Sequence, residues 1–392
     1  MVVRRISDLG DDKCSACALC IEICPVNCIT MGTDSNGFLR PQIDDSACIN
    51  CGLCAKSCVI LNPEKMIKPT QCFAAVRIET EKILKSSSGG IFAAMAEHVI
   101  SKGGAVCGCA LDFELNPRHF LTQDSLTVCH MYGSKYVQSD MGNIYREVNK
   151  YLLTGKIVLF SGTPCQVAAV KRFTKNPTNL ITVELICHGV TNKRMFLSYL
   201  EKYNREKIKM YIFRDKSQGW TFNGKIIYKN GKTLNVNHRL SSYMSYYLRG
   251  ETYRDSCYNC PYANPDRCAD LTIGDFWGIV RQRPDLKDKI NISLGVSCVM
   301  VNTQKGGELF CQSKIRKYEV DYEDVKKGNA PLNAPSSYSY KRNQILKEWK
   351  KSYDWNDVHK LWKATDYKWF YSLWSKLPKT MQHNIRLMLG KR

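Results

Sequence analysis

The sequence predicts a protein of α+β and α/β class in three parts: a small cysteine-rich domain, a mixed α/β domain and a helical C-terminal tail. Three observations support this division. Residues 1–66 hold two closely spaced sets of cysteines. Residues 71–335 alternate between strand-like and helix-like apolar patterns, which is typical of α/β layering with a partly parallel sheet. Residues 336–392 are basic, rich in tryptophan and periodic like a helix.

Composition favours a cytoplasmic protein that binds metal. The 392 residues are 44% hydrophobic, which is ordinary for a soluble globular chain. No apolar run approaches the roughly 18 residues of a membrane span, and the N-terminal residues lack the apolar core of a signal peptide. We therefore expect the 20 cysteines to be metal ligands rather than disulfides, because thiols stay reduced in the cytoplasm.

The charge is unevenly distributed along the chain. The formal net charge is +21, yet residues 1–66 carry 6 Lys and Arg against 8 Asp and Glu. An excess of basic residues over the rest of the chain indicates an anionic partner, such as a nucleotide cofactor, an acidic substrate or a membrane surface. We expect no nucleic-acid partner, because that function needs basic and aromatic residues interleaved along a groove.

Strand and helix patterns can be placed along the α/β region. Buried strands are predicted at 72–78, 105–111, 157–161, 180–187 and 291–302, and helices at 90–101, 143–153 and 164–173. Residues 207–237 are predicted to form antiparallel strands with a turn at Asn230-Gly231.

The C-terminal tail suggests a surface helix pair. Residues 340–392 hold 13 Lys and Arg against 4 Asp and Glu, and five of the seven tryptophans, Trp349, Trp355, Trp362, Trp369 and Trp374. Aromatic and basic residues at helical spacing are typical of helices at a membrane interface. The alternative is a pair of packed helices that cover the core.

The N-terminal cysteines follow a specific repeated spacing. Cys14-x2-Cys17-x2-Cys20-x3-Cys24-Pro recurs as Cys48-x2-Cys51-x2-Cys54-x3-Cys58. This is the spacing of two-cluster ferredoxins, in which the fourth cysteine of each run ligates the other cluster. The sequence therefore predicts a ferredoxin-like domain with two 4Fe-4S clusters, one held by Cys14, Cys17, Cys20 and Cys58, the other by Cys48, Cys51, Cys54 and Cys24. A structural zinc site is the alternative, and Cys28 is interpreted as a packing residue.

A second cysteine group comes from separated segments. Cys165 and Cys187 follow two predicted strands, and Cys257 and Cys260 form a Cys-x2-Cys pair with Cys268 beyond it. The carboxyl ends of parallel strands converge on one crevice, so these cysteines can meet there. Two readings stay open on spacing alone, a third 4Fe-4S cluster or two buried structural cysteines with an isolated pair.

The chain resembles the coenzyme F420 hydrogenase/dehydrogenase beta-subunit family, in its bacterial form with a fused ferredoxin module. The motifs that carry the resemblance are SSSGGIF at 86–92, GAVCG at 104–108, GSKY at 133–136, GTPCQ at 162–166, ICHG at 186–189, FRDK at 213–216, CYNC at 257–260 and ADLTIGDFWG at 269–278. The resemblance implies one FAD and one cluster in the main domain. It assigns that cluster to Cys165, Cys187, Cys257 and Cys260, and leaves Cys268 as a bystander or a substitute ligand.

A flavin site is expected near the loop at 86–90. Small residues before a helix N-terminus suit a pyrophosphate, although such residues also simply cap helices. In similar proteins this loop and the Gly-Ser-Lys-Tyr segment lie beside the flavin. The expected cofactor-binding residues are Ser87, Ser88, Gly89, Gly90, Lys135, Tyr136 and Asp275.

These parts predict an iron–sulfur flavoprotein oxidoreductase. FAD exchanges hydrides and clusters exchange single electrons, so FAD would connect a small substrate to a redox partner protein or a small electron donor. The resemblance implies a role in surface-polysaccharide synthesis, with the tail at the inner face of the membrane. The alternative is an electron-transfer subunit of a larger dehydrogenase complex, with no substrate of its own.

Overall fold

A computed structural model describes residues 4–10, 12–377 and 381 of the chain. Its strands are β1 Ile29–Thr33, β2 Leu39–Ile43, β3 Gln71–Arg77, β4 Ala105–Leu111, β5 Pro117–Thr122, β6 Val158–Gly162, β7 Leu180–Leu185, β8 Ile208–Ile212, β9 Gly224–Tyr228, β10 Thr233–Val236, β11 Leu271–Asp275, β12 Ser297–Val301 and β13 Ile315–Glu319. Its α-helices are α1 Leu19–Glu22, α2 Leu53–Lys56, α3 Thr80–Ile83, α4 Ile91–Ser101, α5 Ser125–Met131, α6 Ile144–Leu152, α7 Pro164–Thr174, α8 Lys193–Glu201, α9 Ser242–Leu248, α10 Ile279–Gln282, α11 Gln304–Gln312, α12 Tyr322–Lys327, α13 Tyr340–Ser352, α14 Trp355–Thr365 and α15 Trp369–Lys376.

The main sheet has eight strands in the order β13-β3-β12-β11-β7-β6-β4-β5. The four central strands β4, β6, β7 and β11 run parallel to their neighbours within that group. The flanking strands β5, β12, β3 and β13 pair in antiparallel fashion. The fold is therefore mixed α/β with a partly parallel sheet, as the alternating pattern predicts.

The junction between β6 and α7 shows how the sequence sets this geometry. All five residues of β6 are buried, which is usual for a parallel strand covered on both faces. Thr163 and Gln166 form a capping box, and Pro164 occupies the first turn of α7. Cys165 thus stands at the N-terminus of a helix, at the carboxyl edge of the sheet.

The cysteine-rich segment packs directly on the main domain, against α6, α7 and the loop at Tyr262. It contains the β1–β2 hairpin and the short helices α1 and α2. Its residues Cys17, Leu19 and Val59 share a buried cluster with Tyr145 and Tyr262 of the main domain. The two tyrosine hydroxyls donate to Cys17 O at 2.6 Å and to Val59 O at 2.7 Å. Apolar burial and hydrogen bonds therefore fix the position of the segment.

Helices α13 and α14 differ from the expected interfacial pair. Trp349, Trp355 and Trp362 are buried with residues of α8 and α9, so the alternative of packed core-covering helices is correct for them. Trp369 of α15 is 67% exposed. The rest of the predicted tail, at 378–380 and 382–392, lies outside the described residues. No helix in the described part of the chain combines the length and apolar character needed to cross a membrane.

One predicted strand is shorter than expected. Only Ser297–Val301 of the predicted 291–302 strand is extended, because Ile292–Leu294 form a 3-10 turn and Gly295 has a φ of 91°. The second sheet, β8–β9–β10, has the antiparallel pairing predicted for 207–237, with its tight turn at Asn230 and Gly231.

Candidate redox site

The first predicted ligand set is brought together in the structure. Cys14, Cys17, Cys20 and Cys58 are all buried and line one small cavity. Cys58 comes from the second cysteine run and meets three cysteines of the first run, which is the exchange that the spacing predicts. Four converging thiols with apolar neighbours match the donor set of a 4Fe-4S cluster.

The second predicted set lies nearer the surface. Cys24 and Cys54 are buried, Cys48 is half-buried and Cys51 is exposed. The backbone N–H of Ile6 donates to Sγ of Cys54 at 3.4 Å. Hydrogen bonds of this type to cluster sulfurs help to set reduction potentials.

Cys28 lies within the second set rather than apart from it. Its Sγ is 3.5 Å from Sγ of Cys24. Contacts with Cys24 and Cys48 add to burial and raise the pKa of Cys28 to about 12. A fifth thiol therefore stands beside the ligands that the sequence predicts.

The third set lies around a much larger cavity of about 600 Å³. Cys165 at the start of α7, Cys187 after β7, and the loop cysteines Cys257 and Cys260 all line it. Burial raises the pKa of Cys257 to about 11 and of Cys260 to about 12. These thiols thus stay protonated near neutral pH unless a metal displaces the proton, as metal binding to cysteines does.

Cys268 is held away from this cavity. It is 1% exposed, and its Sγ donates to Oε2 of Glu184 at 3.0 Å. Among the described residues, no three His, Cys, Asp or Glu side chains are close enough to hold a single metal ion. A 4Fe-4S cluster separates its thiolate ligands more widely, because four iron atoms lie between them.

The expected flavin loop borders the same cavity. Ser87, Ser88 and Gly90 line it, whereas Gly89 is packed behind the loop, where its N–H donates to Oγ of Ser297 at 2.9 Å. Oγ of Ser87 accepts from the N–H of Ser134 at 2.7 Å. The loop and the Gly-Ser-Lys-Tyr segment are therefore directly connected.

Lys135 and Tyr136 line the cavity as well. The Lys135 ammonium donates to four carbonyls at the end of α5, over 2.8 to 3.1 Å, and burial lowers the pKa of this lysine to about 8. It is not a solvated surface lysine, and it stabilises the negative end of α5. The Tyr136 ring lies 4.8 Å from that of Tyr247.

Asp275 and Trp277 line the cavity, and Arg214 and Trp220 hold them in place from behind. Asp275 accepts from Arg214 Nη1 at 2.5 Å and from Trp220 Nε1 at 2.8 Å. The rings of Trp220 and Trp277 stack at 4.7 Å, and the Arg214 guanidinium lies 5.3 Å from the Trp277 ring centroid. Arg214 Nη2 is buried and has no hydrogen-bond partner within the described residues. Because Arg214 does not line the cavity itself, its charge acts on the cavity through Asp275 and from behind the rings of Phe222 and Trp277.

Sequence reasoning did not single out Arg214 or Lys216, although both lie in the FRDK motif at 213–216. Lys216 is 4% exposed and donates to the carbonyl of Ile83 at 3.1 Å and to that of Ser88, which holds the flavin loop in place. Burial lowers the pKa of Lys216 to about 7. In the sequence these two residues appear only as a pair of cations within a short motif. Their burial depends on the tertiary fold and cannot be predicted from the motif.

Two family models match this chain. Residues 155–327 match the family model for the C-terminal part of the coenzyme F420 hydrogenase/dehydrogenase beta subunit, and residues 13–60 match the 4Fe-4S dicluster domain. The chain therefore joins a 4Fe-4S dicluster domain to a domain that matches the C-terminal part of coenzyme F420 hydrogenase/dehydrogenase beta subunits. It is an iron–sulfur electron-transfer protein related to those beta subunits.

Individual relatives of this chain are distant. An uncharacterized protein of Methanocaldococcus jannaschii is 21% identical over 356 residues, covering 81% of this chain and 92% of the relative. An F420H2 dehydrogenase subunit of Methanosarcina mazei is 22% identical over 237 residues, covering 55% of this chain and 66% of that relative. A chain of the F420-reducing NiFe hydrogenase complex from Methanosarcina barkeri aligns with a TM-score of 0.46 and 16% identity, over 73% of this chain and 94% of that chain.

Proposed function

We propose that this chain is an FAD-dependent iron–sulfur oxidoreductase with three 4Fe-4S clusters. One observation carries the proposal: the third cysteine set and most of the expected flavin residues line a single cavity of about 600 Å³. That volume lies within the range of cofactor pockets. When bound there, FAD would exchange a hydride with a substrate and single electrons with the clusters.

The residues of the cavity have distinct proposed roles. Ser87, Ser88 and Gly90 would bind the pyrophosphate, while Lys216 holds their loop. Tyr136 and Trp277 would contact the flavin ring, and the buried Arg214 holds Asp275 at the edge of the cavity. Cys165, Cys187, Cys257 and Cys260 would hold the third cluster.

The three proposed ligand sets would form one electron path through the protein. The path would begin at the second set, where Cys51 is exposed, and continue to the first set, whose cysteines are buried. Cys17 of the first set belongs to the same buried cluster as Cys165 and Cys260. We infer that a redox partner protein or a small electron donor acts at the Cys51 end, while a small substrate meets the flavin.

Anaerobic purification with iron, sulfide and flavin counts tests this proposal. We expect about twelve irons and one FAD per chain, at four cysteine ligands per cluster. A count of eight irons would contradict the proposed third cluster. The absence of flavin after reconstitution would contradict the proposed catalytic role.

A second candidate is an electron-transfer subunit of a dehydrogenase complex without a substrate of its own. It is favoured by the relative from Methanosarcina mazei, whose name describes a dehydrogenase subunit. Steady-state reduction of the protein by a nicotinamide or deazaflavin donor, without any partner protein, would exclude it.

We further propose that α15 rests on an anionic membrane surface, which would suit a substrate from surface-polysaccharide synthesis. Trp369, Phe370 and Leu373 are 67%, 46% and 55% exposed. The following sequence, 378–392, contains four basic and no acidic residues. Cosedimentation with phosphatidylglycerol vesicles, but not with phosphatidylcholine vesicles, is expected, and Trp369→Ala should weaken it. Equal behaviour of the two vesicle types would contradict the proposal.

A further inference from the structure

Arg254 connects the segments that supply the third ligand set. Its backbone N–H donates to the carbonyl of Val190, three residues after Cys187, at 2.8 Å. Its carbonyl accepts from the N–H of Cys257 at 3.0 Å. The backbone of this residue therefore ties the Cys187 loop to the Cys257 loop.

The side chain of Arg254 reaches in the opposite direction, into the ferredoxin-like segment. Nη1 donates to the carbonyl of Cys14 at 2.8 Å, and Nη2 to that of Leu39 at 2.6 Å. Nε donates to Oε1 of Gln138 at 3.1 Å, and the amide of Gln138 donates to the carbonyl of Ser15 at 2.9 Å. Every nitrogen of the guanidinium fork is thus used at the boundary between the first and third ligand sets.

The charge of Arg254 needs a counter-charge. The residue is 2% exposed, and no carboxylate in the described part of the chain lies within salt-bridge distance of it. Its hydrogen-bond partners are neutral carbonyl oxygens. A buried cation without an anionic partner is costly. Cys165 and Cys257 are close enough to interact with the guanidinium through space.

We propose that Arg254 is a positioning residue whose counter-charge is the pair of anionic clusters at the first and third sites. The inference rests on the proposed third cluster. Arg254 fixes the spacing of the two sites through its five backbone and side-chain hydrogen bonds. Its positive charge makes each neighbouring cluster easier to reduce, because nearby charge and hydrogen bonds set cluster potentials.

Three variants of the full chain separate charge from packing. Arg254→Gln removes the charge and keeps an amide donor, whereas Arg254→Lys keeps the charge without the fork. Arg146→Lys is the matched control for the loss of guanidinium contacts, because Arg146 also ties the main domain to the ferredoxin-like segment, through the Glu22 carbonyl at 2.9 Å. Arg146 is paired with the Glu22 carboxylate, so its charge is already balanced.

The measurement is an anaerobic dithionite titration followed by electron paramagnetic resonance, with iron counted in each sample. We expect Arg254→Gln to shift the reduction equilibrium of the first or third cluster at least about tenfold toward the oxidised form, which is about 59 mV for a one-electron couple. Arg254→Lys should shift it less, and Arg146→Lys, which keeps the charge beside the Glu22 carboxylate, should not shift it. Unchanged potentials in an Arg254→Gln protein with full iron content would overturn the proposal.

Two further outcomes are decisive. If Arg254→Gln fails to assemble its clusters, the Arg254→Lys variant decides. Wild-type cluster potentials in that variant support the role of the positive charge. A shift of its reduction equilibrium by tenfold or more toward the oxidised form overturns the proposal. If the wild-type protein holds eight irons, the proposed third cluster is wrong. The role of Arg254 at the first cluster is then decided by the potential of that cluster alone.

Discussion

The thiol of Cys268 donates to Oε2 of Glu184 at 3.0 Å, beneath the cavity that the third cysteine set lines. The carboxylate also accepts from Thr272 at 2.8 Å and pairs with Arg267, and all four side chains are buried. Arg267 Nη1 donates to the carbonyl of Asn264 at 2.9 Å, which holds the loop after Cys260. Cys268 therefore supports the loop and does not face the cavity.

Replacing Cys268 should leave the clusters intact. Cys268→Ser keeps a donor to Glu184, so we expect wild-type iron content. Cys260→Ser, the matched variant of a proposed ligand, should lose about four irons per chain, one cluster's worth. Equal iron loss in the two variants would show that Cys268 is a ligand.

Cys28 should be able to substitute for Cys24, because the two sulfur atoms are 3.5 Å apart. We expect Cys28→Ala to retain all iron and Cys24→Ala to retain part of the second cluster. The double variant should lose that cluster completely. Iron counts and the electron paramagnetic resonance signal of the reduced proteins measure this. If the single Cys24→Ala variant already lacks the whole second cluster, Cys28 does not substitute for Cys24.

Lys216 should make stability rise with pH above neutrality. Its pKa is lowered by burial from 10.5 to about 7 in the folded chain. Between those values the unfolded chain binds a proton that the folded chain has released. The free energy of unfolding therefore rises with pH in this window, by up to about 1.4 kcal/mol per pH unit. Below pH 7 Lys216 is protonated in both states, so the cost of burying its charge lowers the free energy of unfolding in full.

The control for this pH effect is Lys216→Met, which cannot titrate. Denaturation midpoints of the two proteins at pH 7, 8 and 9 should converge or cross as the wild-type protein gains stability. Parallel curves would show that Lys216 does not titrate in this window.

Gly89→Ala should release the flavin while the ferredoxin-like clusters remain. A Cβ at this position would lie 2.3 Å from the Ala75 carbonyl oxygen and 2.9 Å from the Ser297 nitrogen. The loop must then shift, at a cost of about 1–3 kcal/mol for overpacking. The flavin-to-iron ratio should fall. Gly103→Ala is the control, because it also strains the backbone, at a φ of 74°, but lies outside the cavity lining and meets no atom within 4 Å, so its flavin-to-iron ratio should stay at the wild-type value.

The sequence alone was sufficient for features that depend on local spacing. The two cysteine runs place thiols two and three residues apart, and this reach is set by the backbone itself, so the spacing predicted that Cys58 would lie beside the first run. Alternating apolar patterns likewise predicted the central strands, and Pro164 after Thr163 marked the start of α7. These features need no knowledge of distant contacts.

Only the tertiary structure decided what depends on burial between distant segments. Trp362 and Trp369 occur in similar basic helical sequence, yet one is 1% and the other 67% exposed, because only one faces α8 and α9. Arg254 and Lys216 are ordinary cations in the sequence. Their roles arise because the fold removes them from water and leaves backbone carbonyls and cysteine thiols as their neighbours, which no local pattern records.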